Sequence, residues 1–386
     1  MTLSGVMTWS RHLLGDPRQL LLLTTPDDAS LIEARSSALA FADLPKKVSP
    51  RAQWQGLADF LTEEAPCIYL PNFDFHRCCA VGLLPSTVAV CSVLHSDDEC
   101  YYDELRRLRH RFDAVVAVSE HIAAVARQRF PDIANRLQVI PYGVPVPATL
   151  PPKPSEEPIR LAYCNRLAQR QKQVFELPKV ATALEARGCP FVLTIAGEGP
   201  DRNALEHAFR NAGFLEDRVR FAGRLNPPAV QELLEESHLF ILTSAYEGLP
   251  LSLLEAMAAG CVPISYAVTS GIPEAVFDGE NGRIVPMNNP EAMAEAIAQL
   301  MADPDAREVM AQAAHSTARK RYSVERMTAN YRSLFTKLGE AASAGRCLSG
   351  DGKVHPPPDL TFPYRLRRAI RRIRGKPPPP TYPEQC

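Results

Sequence analysis

The sequence predicts an α/β protein with two doubly wound domains of similar size. At 386 residues the chain is longer than one typical domain and long enough for two. Short β-branched or leucine-rich runs alternate with segments of helical periodicity, which predicts parallel sheets built from right-handed crossovers. This alternation stops at a proline-rich segment, residues 144–158, and then begins again. We therefore expect one sheet on each side of that segment.

The first half contains five candidate strands with helical segments between them. In one helical segment Leu105, Leu108 and Phe112 recur at spacings of three and four residues and give a single apolar face. The candidate strands are residues 19–25, 67–71, 87–94, 114–119 and 137–143. In the second half they are residues 159–165, 191–197, 219–223, 239–244, 262–266 and 282–286.

These patterns predict four segments along the chain. Residues 1–144 form the first domain, 145–158 an extended linker and 159–338 the second domain with terminal helices, and 345–386 are a basic, proline-rich tail. Ligands of open α/β sheets bind beyond the carboxyl ends of the strands. With two such sheets, the natural site is a cleft that both face.

Charge and cysteine usage limit the functional classes. The formal net charge of -1 gives no argument for a nucleic-acid partner. None of the 10 cysteines forms a CxxC pair, and the opening residues lack the apolar core of a signal peptide. We expect free thiols and a cytoplasmic protein.

Several side chains of the second domain follow predicted strands. Arg166 and Lys172 follow the strand at 159–165 and suit an anionic group, although taken alone they are better interpreted as a solvated basic loop. The Gly197-Glu198-Gly199 turn follows the next strand and permits close approach of the backbone to a ligand. Such turns are common in loops without ligands as well.

Two carboxylates flank the start of a predicted helix in SAYEGLPLSLLEAMAAG. Glu247 lies in the loop after the strand at 239–244, and Glu255 lies within the helix that Pro250 opens and Gly260 ends. Paired carboxylates accept hydrogen bonds from the vicinal hydroxyls of a sugar or a ribose. Alternatively, both are solvated. A further tight turn, SGIPE, precedes GENGRIVP and is also compatible with an ordinary surface turn.

These segments together resemble the donor domain of family-4 retaining glycosyltransferases with the GT-B fold. The resemblance covers residues 137–338 most strongly and the first half more loosely, and EGLPLSLLEAMA is its most specific part. It implies two Rossmann-like domains that face a central cleft. It also implies transfer of a sugar from a nucleotide-sugar donor to a hydroxyl group of a glycan, lipid or small molecule.

The resemblance also implies roles for individual residues. Arg166 and Lys172 would hold the diphosphate, Glu247 the hydroxyls of the transferred sugar, and Glu255 the ribose. The remaining donor-binding residues would be Gly197, Gly248 and Leu249, with Arg224 and Leu225 near the base. Because fixed cations stabilise a departing diphosphate, we expect neither a metal nor a cofactor. The single DxD, Asp303-Pro304-Asp305, is interpreted as a helix start.

The first domain would supply the acceptor side of the site. His95 follows the strand at 87–94 and resembles a histidine that lies near the donor sugar in this family, as a fourth catalytic residue beside Arg166, Lys172 and Glu247. Asp97 and Asp98 are either acceptor-side residues, a helix N-cap or, with His95, metal ligands. The other acceptor-side residues would be Ser119 and Gly5.

The two ends of the chain depart from the family pattern. The usual first strand before the Gly5 loop is missing, so a non-catalytic nucleotide-sugar-binding protein is one alternative. A nucleotide-sugar epimerase and a phosphorylase are two others. In the tail, the basic amphipathic segment 364–376 suits either peripheral contact with the inner face of a membrane or a solvated, disordered tail.

Overall fold

The computed structural model describes residues 49–71, 76–154, 158–214 and 217–354. Within these ranges the chain packs as two compact units. The first, which we call the four-stranded unit, comprises residues 49–118, Ile122–Ile140 and 329–354. The second, the six-stranded unit, comprises Ser119–His121 and Pro141–Thr328. The predicted domain limits stay a prediction; Gly5, the strand at 19–25 and the segment 364–376 lie outside the described residues.

The four-stranded unit has a parallel sheet in the order β1-β2-β3-β4. All seven residues of β2 are buried, which is typical of a central parallel strand covered on both faces. Ser49 caps α1 by accepting a hydrogen bond from the Ala52 amide, and Pro50 occupies its first turn. The strands are β1 Cys67–Tyr69, β2 Val88–Leu94, β3 Ala114–Ala117 and β4 Leu137–Val139, and the helices are α1 Pro50–Glu63, α2 Glu99–Leu108 and α3 Glu120–Arg129.

The six-stranded unit has a parallel sheet in the order β10-β9-β8-β5-β6-β7. The strands are β5 Ile159–Cys164, β6 Phe191–Ala196, β7 Val219–Gly223, β8 Leu239–Leu242, β9 Val262–Tyr266 and β10 Arg283–Val285. The helices are α4 Gln169–Lys172, α5 Glu176–Ala186, α6 Arg202–Asn211, α7 Pro227–Glu235, α8 Leu251–Ala258, α9 Ile272–Ala275, α10 Pro290–Ala302, α11 Pro304–Arg321 and the start of α12 Val324–Ser343, whose residues from Ala329 onward belong to the four-stranded unit.

The strand order of this sheet reverses between β5 and β8. β5 pairs with β6 on one side and with β8 on the other, with Leu161 opposite Leu239. The chain therefore winds outward in both directions from one point. Such a switch point leaves a crevice at the carboxyl ends of the strands, which is where ligands of doubly wound sheets bind.

A partly buried lysine, Lys153, bonds the proline-rich segment to helices of the six-stranded unit. Lys153 Nζ donates hydrogen bonds to the carbonyl oxygens of Leu234, Glu235 and Ala259 at 3.0, 3.2 and 2.8 Å. These carbonyl groups lie at the carboxyl ends of α7 and α8, where helix carbonyls commonly accept hydrogen bonds from groups outside the helix. Burial lowers the pKa of Lys153. A freely extended linker was expected from composition, and the lysine within it explains the difference.

The described cysteines are mostly free thiols, as predicted. The free ones are Cys67, Cys78, Cys79, Cys91, Cys164, Cys189, Cys261 and Cys347. Cys100 is not among these free cysteines. No helix within the described ranges has both the length and the apolar character needed to cross a bilayer.

Candidate functional site

The carboxyl edge of the six-stranded sheet collects the charged residues that the sequence singled out. Arg166 and Lys172 follow β5, Gly197 follows β6 and Glu247 follows β8. Because these three strands are neighbours and parallel, the segments that follow them emerge at the same edge. Arg166 is exposed there.

Lys172 and Glu247 form an ion pair at this edge. Lys172 Nζ lies 2.5 Å from Glu247 Oε1, and the two residues are 9% and 5% exposed. The helix α4 ends at Lys172 because Gln173 adopts the left-handed conformation with φ of 45°. Two buried tyrosines lie near the pair, and the charge of Glu247 adds to burial in raising the pKa of Tyr142 and of Tyr163.

The backbones that carry this pair are bonded to each other. Thr243 Oγ1 donates to the Lys172 carbonyl oxygen at 2.7 Å, and the Ala245 amide donates to the Gln171 carbonyl oxygen at 2.8 Å. These bonds join α4 to the loop after β8. The site is therefore fixed by one side-chain and one main-chain hydrogen bond as well as by the ion pair.

The glycines of the Gly197-Glu198-Gly199 turn seat the loop that carries Arg166. A Cβ at Gly197, whose φ is 141°, would lie 1.9 Å from the Asn165 carbonyl oxygen. A Cβ at Gly199 would lie 2.1 Å from the Leu167 carbonyl oxygen. The sequence suggested close approach to a ligand, whereas the structure shows close approach to the neighbouring loop.

Glu255 lies on α8, three residues after Ser252. Its side chain is partly buried, and desolvation raises the pKa of the carboxyl group from 4.5 to about 7. Ser252 Oγ donates to Asn165 Oδ1 at 3.2 Å, which connects the first turn of α8 to the end of β5. Gly260 follows the helix with φ of 76° and ends it, as predicted.

The Gly248-Leu249 loop packs against the SGIPE turn. Gly271 has φ of 67°, and a Cβ there would lie 1.8 Å from the Gly248 carbonyl oxygen. Ser270 Oγ donates to the same oxygen at 3.3 Å. Glu274 of this turn accepts hydrogen bonds from the amides of Glu120 and His121 at 2.8 and 2.9 Å. The turn is therefore a structural support and not only a surface feature.

The segment proposed for the base follows β7. Gly223 ends that strand with φ of 65°, and its carbonyl oxygen accepts from the Gly197 amide at 2.7 Å. Arg224 is exposed and Leu225 is partly buried. These residues thus lie at the same sheet edge as Gly197, three strands from Glu247.

The candidate acceptor-side residues follow β2 and β3. His95 is 6% exposed, and burial lowers the pKa of its imidazole from 6.5 to about 3. Asp97 Oδ1 accepts from Tyr102 Oη at 2.6 Å, and Asp98 caps α2 by accepting from the Cys100 amide at 3.2 Å. The N-cap interpretation of Asp98 is confirmed. Ser119, two residues beyond β3, is fully buried.

The candidate metal ligands are the DxD segment Asp303-Pro304-Asp305 and the side chains near His95. Asp303 accepts from the Ala306 amide at 3.0 Å and caps α11, so the DxD segment starts a helix as predicted. Within the described ranges, no group of three or more His, Cys, Asp or Glu side chains is placed to hold a metal ion. A metal site at His95 therefore has no further ligands among these residues.

One polar residue at the site was missed by the sequence interpretation. Asn165 lies between β5 and Arg166, and its Nδ2 is buried without a partner in the described part of the chain. Its position directly after a parallel strand was the signal that could have identified it. Asn165 connects the loop of Arg166 with the helix of Glu255.

The two sheets and their order identify the fold class. The structure of HepE from Anabaena in complex with UDP superposes with a TM-score of 0.71 at 18% identity, over 87% of this chain and 97% of that one. This chain has two α/β units with parallel sheets, and the solved structures that it resembles are GT-B glycosyltransferases. The protein therefore has the GT-B fold.

Part of the six-stranded unit matches a family model. The match is to the family Glycosyl transferases group 1 and spans residues 151–317. Alpha-D-kanosaminyltransferase of Streptomyces kanamyceticus is 32% identical over 48% of this chain and 47% of its own length. An exopolysaccharide phosphotransferase of Streptomyces coelicolor is 28% identical over 58% of this chain and 23% of its own length. The chain thus spans less than half the length of these two relatives.

Proposed function

We propose that this protein is a retaining, metal-independent glycosyltransferase. It transfers a sugar from a nucleotide-sugar donor to a hydroxyl group of a glycan, lipid or small-molecule acceptor. The observation that carries the proposal is the grouping of Arg166, Lys172 and Glu247 at the switch point of a group 1 domain. Two cations and a carboxylate at this edge match the two parts of such a donor, its diphosphate and its sugar.

The proposed mechanism assigns the charges to separate steps. Arg166 and Lys172 stabilise the negative charge that develops on the departing nucleoside diphosphate. Glu247 accepts hydrogen bonds from hydroxyls of the transferred sugar and positions it, and Glu255 does the same for the ribose. The acceptor hydroxyl attacks from the face that the diphosphate leaves, and the departing phosphate helps to take its proton.

The neutral state of His95 restricts its proposed role. With its pKa lowered to about 3, the imidazole carries no charge near neutral pH. We propose that it orients a hydroxyl group by hydrogen bonding and does not act as a cation. This separates it from Arg166 and Lys172, which supply the positive charge.

The comparisons support a transferase over the alternatives. The kanosaminyltransferase and the exopolysaccharide phosphotransferase are both named as transferases, and the HepE structure contains UDP. Neither an epimerase nor a non-catalytic binding protein is favoured by them. We infer polysaccharide or cell-envelope synthesis as the setting.

The proposal is tested by product analysis in the presence of EDTA. The full chain is incubated with UDP-, GDP- or ADP-linked sugars and a panel of glycan and alcohol acceptors, and the anomeric configuration of any glycoside is read by NMR. The expected product retains the donor configuration, and Glu247→Gln lowers its rate. Glu291→Gln, at the exposed ion pair with Arg187, is the matched control. An inverted glycoside, an epimerised donor without glycoside, or activity that EDTA abolishes would overturn the proposal.

A further inference from the structure

Lys172 and Glu247 form an ion pair with each other, but in the proposed function each of them binds a different part of the donor. Lys172 is assigned to the diphosphate and Glu247 to the transferred sugar. In the structure Lys172 Nζ and Glu247 Oε1 lie 2.5 Å apart, and the side chains are 11% and 6% exposed. Each charge is therefore the ion-pair partner of the other.

A diphosphate at Lys172 meets the carboxylate of Glu247 at close range. Both are anions, and like charges within a few ångströms repel strongly where water is largely excluded. The ammonium group has three donors and attracts both anions, but its attraction to one is reduced by the presence of the other. Glu247 is therefore an intramolecular competitor of the diphosphate.

Two hydrogen bonds to the backbone of α4 limit which parts of the site can move when the diphosphate displaces Glu247 from Lys172. The Thr243 and Ala245 bonds to Lys172 and Gln171 hold α4 against the loop after β8. The two backbones thus stay together while the side chains exchange partners. Separation of the charges requires rotation of side chains and no movement of the sheet.

We infer that Glu247 weakens binding of a nucleoside diphosphate at Lys172 and that the sugar of an intact donor relieves this effect. The inference rests on the proposed function. Sugar hydroxyls donate hydrogen bonds to Glu247 and compensate its charge when it leaves Lys172. After transfer the diphosphate product lacks those hydroxyls, so Glu247 returns to Lys172 and promotes product release. The site thereby discriminates donor from product.

The test is the affinity of nucleoside diphosphates for variants of this pair. Dissociation constants of UDP, GDP and ADP are measured by calorimetry with EDTA for the wild type, Glu247→Gln, Lys172→Met and the double variant. The best ligand is expected to bind Glu247→Gln at least about fivefold tighter than the wild type. In the Lys172→Met background, Glu247→Gln should tighten binding by a smaller factor than it does with Lys172 present, because only the direct repulsion between the two anions is then left to relieve.

Two controls separate this effect from folding and from general charge. Glu291→Gln removes one negative charge from the exposed pair with Arg187 and should leave affinity unchanged. Glu247→Asp withdraws the carboxylate by one methylene and should tighten binding by a smaller factor, which serves if Glu247→Gln is poorly folded. Affinity for the intact nucleotide sugar should not rise in Glu247→Gln, since the sugar loses its acceptor.

The outcomes distinguish failure of the proposed function from failure of the inference about Glu247. Absence of nucleotide binding to both the wild type and Glu247→Gln would overturn the proposed function and this inference with it. Binding to the wild type that Glu247→Gln leaves unchanged or weakens would overturn the inference alone. A gain in affinity from Glu247→Gln that is equally large in the Lys172→Met background would also overturn the inference alone.

Discussion

Ser252 Oγ donates a hydrogen bond to Asn165 Oδ1 at 3.2 Å and so connects the start of α8 to the loop after β5. The helix carries Glu255, and the loop carries Arg166. One side-chain contact therefore sets the spacing between the group proposed for the ribose and a group proposed for the diphosphate. This relationship leads to the first prediction.

Loss of the Asn165–Ser252 contact should weaken donor binding cooperatively. Asn165→Ala and Ser252→Ala should each reduce nucleotide affinity by about threefold to tenfold, as expected for one hydrogen bond of roughly 1 kcal/mol. The double variant should be no weaker than the worse single variant. A double-variant cycle by calorimetry measures this. Additive losses would show that the contact does not position the site; Gln55→Ala, at an exposed hydrogen bond to Asp59, is the control.

Donor affinity should depend on pH through Glu255. Because burial raises the pKa of its carboxyl group to about 7, the group is protonated below that pH and ionised above it. The ionised form accepts both ribose hydrogen bonds, so affinity should increase as pH rises through about 7. A nucleotide sugar is the suitable ligand, since its phosphates stay ionised throughout. Glu255→Gln should abolish the dependence; a pH profile that survives this substitution would contradict the assignment.

The same shift predicts a change in the stability of the protein without ligand. The folded pKa of Glu255 exceeds its ordinary value of 4.5, so this group stabilises the fold fully below about pH 4.5. That contribution is lost as pH rises through about 7. Comparison of unfolding midpoints of the wild type and Glu255→Gln across this range measures it independently of binding.

A side chain at Gly271 should weaken nucleotide binding because it displaces the Gly248 loop, and not only because the backbone φ is positive. Gly188→Ala is a matched control, because its φ of 68° equals that of Gly271 within one degree and a Cβ there meets nothing within 4 Å. The control should lower stability by about 1 kcal/mol and leave binding intact. Gly271→Ala adds a clash with the Gly248 carbonyl oxygen and should lower nucleotide affinity about tenfold or more. Equal behaviour of the two variants in calorimetry and thermal unfolding would exclude this role.

His95 should contribute to turnover without contributing a pH transition near its ordinary pKa. Burial keeps the imidazole neutral above about pH 3, so protonation of this residue cannot shape the rate between pH 5 and 8. His95→Gln should lower kcat and leave nucleotide affinity unchanged. The measurement is kcat against pH for both proteins. An inflection near pH 6.5 that disappears in the variant would contradict a neutral His95.

Much of the fold could be predicted from the sequence because parallel strands are short, apolar and separated by helices. Every described strand from β1 to β10 lies within or overlaps a predicted run, and the cap at Asp98 followed from its place before an apolar face. The pairing of Lys172 with Glu247 could not be predicted, because it joins segments 75 residues apart along the chain. The order β8-β5-β6 that makes them neighbours is a property of the assembled sheet.

The roles of the glycines and of Lys153 also could not be predicted from the sequence alone. Gly197 was interpreted as allowing approach to a ligand, but the carbonyl group it faces belongs to Asn165. Lys153 lies in a segment whose prolines indicate only an extended backbone. Its contacts with the ends of α7 and α8 depend on tertiary packing. Local patterns identify elements, whereas such partners become visible only when the elements are packed.

The central claim is that the six-stranded unit binds a nucleoside diphosphate through Lys172 without a metal. It is tested most directly by thermal unfolding with UDP, GDP or ADP, each with EDTA, on the wild type and Lys172→Ala. A ligand at ~100 times its dissociation constant adds about 2.7 kcal/mol, which raises the midpoint of a domain this size by several degrees. We predict that one nucleotide raises the wild-type midpoint despite EDTA and that Lys172→Ala loses the shift. No shift with any nucleotide, or an equal shift in Lys172→Ala, would contradict the account.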